Sequence, residues 1–315
     1  MMRIVYIGTG EIGVPSLRAM IEDGSCRVVG VLTQPDRPSG RQMKPAPSPV
    51  KQLAFEEHLS IYQPENINSP GALQQLAYLK PDLLVVCAYG QILRTSVLEL
   101  PKLGCLNIHA SLLPKYRGSS CIQAAIRSGD RKTGLTIMWM NAGLDTGDIL
   151  LQEPVRIRSR DTAGTLHDKL AELAPKALLE ALALIRAGKA PRIPQNLQEA
   201  TYAGKLKKED GHIDWNQPQI QIHRHIRAMD PWPSAYSFLE EKDGGKKMLK
   251  IYKTIISRHA KGSPGAVLRI DDHGVLVAAA KGGLLLREVQ LEGRKRMHAA
   301  EFARGYRLET GAMLG

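Results

Sequence analysis

Four short apolar runs in the N-terminal half of the chain, Arg3–Gly8, Arg27–Thr33, Leu83–Ala88 and Cys105–His109, alternate with segments whose apolar residues mostly recur at helical spacing. Strands buried on both faces read as continuous apolar runs, and parallel neighbours need a crossover long enough to hold a helix. The alternation predicts an α/β fold: a doubly wound, Rossmann-like parallel sheet with helices on both faces. Ligands of such sheets collect at the carboxyl ends of the strands, here the loops after Gly8, Ala88 and His109.

A long Leu- and Ala-rich helix over Thr162–Ala187 closes a first domain, residues 1–188. From there the apolar period is lost and two prolines appear, so residues 189–208 read as a linker. Residues 209–315 open with a helix over Gln219–Met229. Five runs punctuated by glycine follow: Ala235–Leu239, Met248–Ile256, Ala266–Ile270, Val275–Ala279 and Leu284–Val289. That pattern predicts a small β-barrel. At 315 residues and 43% hydrophobic content the chain can fill two cores. It has no apolar run long enough to span a bilayer, and its start leads straight into a strand, so a cytoplasmic protein without membrane contact is expected. Cys26, Cys87, Cys105 and Cys121 show no CxxC spacing and predict buried free thiols.

Candidate chemistry sits at the fourth run. Asn107 and His109 are two residues apart, so on a strand both side chains share a face. An amide can hold a developing oxyanion while an imidazole handles protons near neutral pH. Asp145, in the Gly-rich stretch Asn141–Asp148 after a further apolar run over Leu135–Met140, supplies a carboxylate to orient the imidazole. Alone, an Asn-x-His at a strand end is a packing feature and an Asp among glycines a turn former. The segment Gly8-Thr9-Gly10-Glu11-Ile12-Gly13 also fits the dinucleotide fingerprint after a first strand. That fingerprint wants an acid closing the second strand, which here ends in Thr33-Gln34-Pro35, with Asp36 inside a Pro-rich loop.

Asn107, His109, the stretch Ser111–Gly118 and the stretch Gly143–Asp148, in this order and spacing, resemble the folate-dependent formyltransferases. The resemblance extends over nearly the whole chain, through Thr33–Lys51, Val85–Leu93, Thr201–Trp215 and Ile226–Tyr236. It implies that Asn107, His109 and Asp145 are catalytic and that the second domain is an OB-like barrel. It implies folate binding by three segments: Ala88, Tyr89, Gly90, Gln91, Ile92 and Leu93; Ser111, Leu112, Leu113 and Pro114; and Asn141, Ala142, Gly143 and Leu144. The implied reaction moves the formyl group of 10-formyltetrahydrofolate to the α-amino group of initiator methionyl-tRNA, with no metal, in a monomer. Asn107 and a protonated His109 would hold the oxyanion, and His109 with Asp145 would carry the amine proton to N10 of the folate. One departure is that Gly10 and Ile12 stand where the family has Pro and Phe.

The formal charge of +12, denser beyond residue 200 than before it, fits a polyanionic partner. The 34–49 loop carries Arg37, Arg41 and Lys44 among five prolines, and the resemblance makes it the element that enters the tRNA acceptor end, with Arg41 the leading contact. Lys205, Lys207 and Lys208 would extend that phosphate track. Formyltransferases of amino sugars share the Asn-x-His and Asp core but lack this basic insertion. A non-catalytic RNA-binding protein would have no need of an intact Asn107, His109 and Asp145.

Overall fold

The computed structural model describes residues 1–39, 44–240 and 245–315. Two compact units are present. One comprises Met1–Cys121, Lys132–Arg156 and His167–Gly204, and the other Ile122–Arg131, Ile157–Leu166 and Lys205–Gly315.

In chain order the elements are β1 (Met2–Gly8), α1 (Val14–Asp23), β2 (Cys26–Leu32), β3 (Arg37–Ser39), β4 (Lys44–Ala46), α2 (Pro49–Glu56) and β5 (Ile61–Tyr62). There follow α3 (Pro70–Leu79), β6 (Leu83–Cys87), α4 (Thr95–Leu98), β7 (Cys105–His109), α5 (Cys121–Ser128), β8 (Lys132–Trp139), β9 (Ile149–Arg156) and α6 (Ala163–Arg186). Helices α2 and α3 both start on Ser-Pro. The hydroxyl of Ser48 accepts from Lys51 N and that of Ser69 from Ala72 N, while the proline fills a first-turn position whose N–H would be unpaired anyway. Helix α1 ends at Gly24, whose φ of 63° is the left-handed cap that glycine adopts most freely.

The first sheet has the order β5-β2-β1-β6-β7-β8-β9. Strands β5 to β7 pair in parallel, whereas β8 runs antiparallel to β7 and β9 antiparallel to β8. The Rossmann-like sheet is therefore mixed at one edge. Strand β9 has a half-exposed alternating pattern containing Pro154, which suits an edge and leaves no continuous apolar run to announce a strand. The Pro-rich 34–49 segment holds more structure than a loop: β3 and β4 form a two-stranded antiparallel ribbon, Arg37 facing Ala46 and Ser39 facing Lys44. All four cysteines are free and buried, and burial pushes the thiols of Cys87 and Cys105 up to about 12.

The dinucleotide-like glycines have a packing explanation. Tyr6, fully buried on β1, donates its hydroxyl hydrogen to Gly13 O at 2.7 Å, and a Cβ on Gly8 or Gly13 would collide with that side chain. Asp36 is held by Lys51 Nζ at 2.6 Å and Gln63 Nε2 at 2.8 Å rather than presented to a ribose.

The stretch that reads as a linker is bound rather than slack. Ile193 exchanges backbone bonds with Ile149 on β9, and Thr201 and Ala203 bond Arg117 through their backbones, so the first unit runs on to Gly204. Polar residues without an apolar period hide this pairing, because it is made by the main chain. Helix α6 matches the expected helix to within a residue at each end, and its first turn belongs to the second unit.

In the second unit, α7 (Gln219–Met229) precedes β10 (Ala235–Glu240), β11 (Lys246–Ser257), β12 (Val267–Asp271), β13 (Gly274–Ala278), β14 (Gly283–Leu291) and β15 (Met297–His298). Helix α8 (Ala299–Tyr306) comes last. The antiparallel order is β10-β11-β14-β13-β12, with β15 on β14. The two open edges meet through the C-terminal residues: Phe238 on β10 exchanges backbone bonds with Gly315, and Val267 on β12 does so with Gly311 and Ala312. Closure removes the free sheet edges. Leu314, 3% exposed, is the apolar plug of this seam. Leu314→Ala is expected to cost roughly 2–5 kcal/mol in denaturant unfolding. A cost under about 1 kcal/mol, the scale of a surface change, would mean the seam contributes little to the barrel.

Candidate active site

Strand β7 occupies Cys105–His109, as its apolar run predicts, and its pleat puts Asn107 and His109 on one face. His109 is 5% exposed. Beyond it the chain turns under tight control. Thr136 on β8 donates its hydroxyl hydrogen to Ser111 O at 2.7 Å and accepts from Leu113 N at 3.1 Å. Gln152 on β9 donates to Leu113 O at 2.8 Å, and Ser111 Oγ donates to Lys115 O at 2.6 Å. The turn delivers the Tyr116 carbonyl to His109 Nε2 at 3.0 Å. A carbonyl only accepts, so Nε2 carries the proton and Nδ1 is left as the basic nitrogen.

Asp145 arrives from the loop between β8 and β9. Because β8 is antiparallel to β7, that loop starts beside the beginning of β7, where Met140 N donates to Cys105 O, and runs back across it. Asp145 Oδ1 accepts from Asn107 Nδ2 at 3.3 Å and Oδ2 from Gly118 N at 2.7 Å. Oδ2 lies 3.7 Å from His109 Nδ1. That gap exceeds a hydrogen bond and leaves Nδ1 unblocked. Asp145 itself sits at a φ of 51°, in the left-handed region.

Burial pushes the His109 imidazole below its ordinary range, while the Asp145 carboxylate and the Tyr116 carbonyl oppose that shift. Burial, the largest of these effects, favours the neutral imidazole. Asp145 Oδ2 faces Nδ1 of that ring across 3.7 Å and favours its protonated form.

The structure gathers Asn107, His109 and Asp145 into one cluster. Of the folate segments, Leu93, Leu113 and Ser111 are buried, so their side chains serve packing. The Gln91 side chain is committed to Ile67 N and Glu65 O, and that of Asn141 to Gly143 N and Thr146 Oγ1. Ala88 and Gly90 turn the chain after β6 at positive φ, and Tyr89 O accepts from Thr9 Oγ1 and Gln34 Nε2. Ile92, 74% exposed, and Leu144, 54% exposed, present free apolar surface, as Ala142 and the half-buried Leu112 and Pro114 do to smaller extents. Arg37, Lys205, Lys207 and Lys208 are exposed. Lys44 opens β4, and Arg41 lies outside the described residues. Thr136 and Gln152, which fix the turn after β7, carry no sequence signal, because a polar residue on a strand does not announce a partner sixteen or more positions away.

Residues 2–182 match the formyl transferase family and residues 205–307 match the formyl transferase C-terminal domain. The methionyl-tRNA formyltransferase of Methylacidiphilum infernorum is 59% identical over 100% of this chain and 98% of its own. That of Geobacter sulfurreducens is 45% identical over 100% and 97%. The fold is shared with an N-formyltransferase from Helicobacter canadensis solved in complex with folinic acid and dTDP-3-aminofucose, at a TM-score of 0.66 and 18% identity over 94% of this chain and 100% of that one. The chain belongs to the formyl transferase family, on the branch whose members are the methionyl-tRNA formyltransferases.

Proposed function

We propose that the protein transfers the formyl group of 10-formyltetrahydrofolate to the α-amino group of initiator methionyl-tRNA. The observation that carries this reading is the Asn107–His109–Asp145 cluster in a chain 59% identical, end to end, to a methionyl-tRNA formyltransferase. Folate binding is supported by the exposed apolar side chains of Ile92 and Leu144 and by the backbone turn at Ala88–Gly90, which together offer walls for a pterin. The basic balance of the chain and the exposed lysines at 205, 207 and 208 support an RNA acceptor over an amino sugar.

The chemistry follows from the protonation states. The attacking group is a neutral amine, whose reference pKa of about 7.7–8.0 leaves part of it unprotonated at pH 7. As its nitrogen bonds to the formyl carbon, the second amide hydrogen of Asn107, not used by Asp145, is free to donate to the oxyanion. Nδ1 of His109 takes the proton released by the amine, and Asp145 Oδ2 faces the imidazolium so formed. When the bond from the formyl carbon to N10 breaks, His109 returns that proton to N10. Proton count and charge balance, and no covalent enzyme intermediate arises.

His109→Ala is expected to lower turnover by ~10²–10⁴. Asn107→Ala is expected to lower it by ~10²–10³, with tRNA binding retained in both. Formyl transfer to initiator methionyl-tRNA, run beside elongator methionyl-tRNA and an amino-sugar nucleotide, decides the acceptor. Label on the sugar, or free formate without acceptor preference, would overturn the tRNA assignment.

The imidazole of His109 is expected to titrate below its usual 6.5 when followed by NMR, and Asp145→Asn should lower the midpoint further by removing the favourable carboxylate. Since the folded state holds this histidine neutral, its contribution to stability is present above pH 6.5 and is lost as pH falls through the depressed midpoint. A midpoint at or above 6.5 would contradict the base role.

Replacing Lys205, Lys207 and Lys208 together with Ala should weaken tRNA binding and flatten its dependence on log salt by about 0.7–0.9 per lost phosphate contact. An unchanged slope would remove this segment from the RNA surface.

A further inference from the structure

Arg117 is the largest of the fully buried side chains, 2% exposed, and among the described residues no carboxylate pairs with it. Its Nε and Nη2 both donate to Gln195 Oε1, at 3.1 and 2.8 Å. Its Nη1 donates to the Tyr202 hydroxyl at 3.4 Å, and the guanidinium lies 5.9 Å from the centre of that ring. With its oxygen fixed by the guanidinium, the Gln195 amide can be oriented only one way. Its Nε2 then donates to Asp145 O at 2.9 Å and Gly147 O at 2.7 Å. All four hydrogen-bonding positions of the amide are used.

We infer that Gln195 is a positioning residue for the reaction, holding the turn that carries Asp145 at its working distance from His109; this inference rests on the formyl-transfer reading above. Asp145 is held at positive φ, a conformation that persists in a non-glycine residue only where its surroundings over-determine it. Gln195 clamps the turn at Asp145 and again two residues later at Gly147, where a Cβ would run into the Trp139 carbonyl. The other end of Asp145 is tied to the same unit, because the N–H that binds Oδ2 belongs to Gly118, the neighbour of Arg117. Backbone and carboxylate of one residue are thus referred to the Arg117–Gly118 pair, one through Gln195 and one directly. Glutamate would meet the guanidinium as well as glutamine does, but it would set a carboxylate oxygen against two carbonyls in place of two donors.

The test compares Gln195→Glu, Gln195→Met, Asp145→Asn and the double variant Gln195→Met/Asp145→Asn, with kcat, KM for each substrate, tRNA affinity and Tm measured on each. Both Gln195 variants are expected to lose on the order of 10²-fold in kcat, the cost of displacing a catalytic group by about 1 Å. KM and tRNA affinity should stay within about threefold. In the Asp145→Asn background, Gln195→Met should add less than about threefold, because the residue it positions is already disabled. Losses that multiply in the double variant, or a Gln195→Glu enzyme with native kcat, would overturn the proposal. Should Gln195→Met fail to fold, Gln195→Glu in the same two backgrounds gives the same comparison. Near-native kcat in Asp145→Asn alone would instead reject the reading of the catalytic site, a result distinguishable from failure of Gln195 as its support.

Discussion

A carboxylate withdrawn from most of its water has to be solvated by the protein, and the first unit is organised around doing this for Asp145. Its two oxygens receive an amide N–H from Asn107 and a backbone N–H from Gly118, both neutral donors, and its remaining charge faces His109 across 3.7 Å. Neutral donors satisfy hydrogen bonds without cancelling charge. A lysine or arginine in their place would have quenched the field that makes an imidazolium tolerable in a buried site. Burial favours the neutral imidazole and the facing carboxylate favours its cation, the opposition on which the proposed proton transfer rests.

Holding that arrangement draws on four stretches far apart in the chain: β7, the turn at Arg117–Gly118, the loop between β8 and β9, and Gln195. None could do it alone. Strand β7 fixes a shared face for Asn107 and His109 but says nothing of where a carboxylate will sit. The antiparallel pairing of β8 starts the Asp145 loop next to Cys105, so the loop crosses the face on which Asn107 lies. Parallel pairing at that edge would have started the loop at the other end of β7.

These facts separate what was legible in the residues from what was not. Strand β7 was visible to the residue because five apolar-biased positions on a doubly buried strand leave a continuous run, and the strand period then paired Asn107 with His109. Helix α7 and the runs of the barrel were readable for a similar reason, glycine marking each break. Strand β9 was not, because an edge strand half exposed to water alternates and contains Pro154. The barrel seam made by Gly311–Gly315 and the attachment of Thr201–Ala203 to Arg117 are backbone pairings, and backbone groups are the same in every residue. Arg117 and Gln195 were the hardest to read: each is polar, and each is buried only because a partner 78 positions away completes its bonding.

The glycine pattern after β1 shows how one local sequence can serve two purposes. In a dinucleotide enzyme the first and third glycines of this pattern serve the tight turn and the close packing of helix on strand; here Gly8 and Gly13 admit the ring and hydroxyl of Tyr6, and Tyr6 Oη donates to the Gly13 carbonyl. Asp36, the one acid near the end of β2, is engaged by Lys51 and Gln63. Reactive polar groups are instead concentrated on β7 and the turns packed against it. The excess positive charge stands outside this cluster, on exposed residues such as Arg37, Lys205, Lys207 and Lys208. Exposed cations attract a polyanion through a field that salt screens, whereas hydrogen bonds inside a water-poor site are screened far less. Capture of a nucleic-acid acceptor and the chemistry performed on it therefore respond differently to ionic strength, so affinity can change with salt while the geometry at His109 does not.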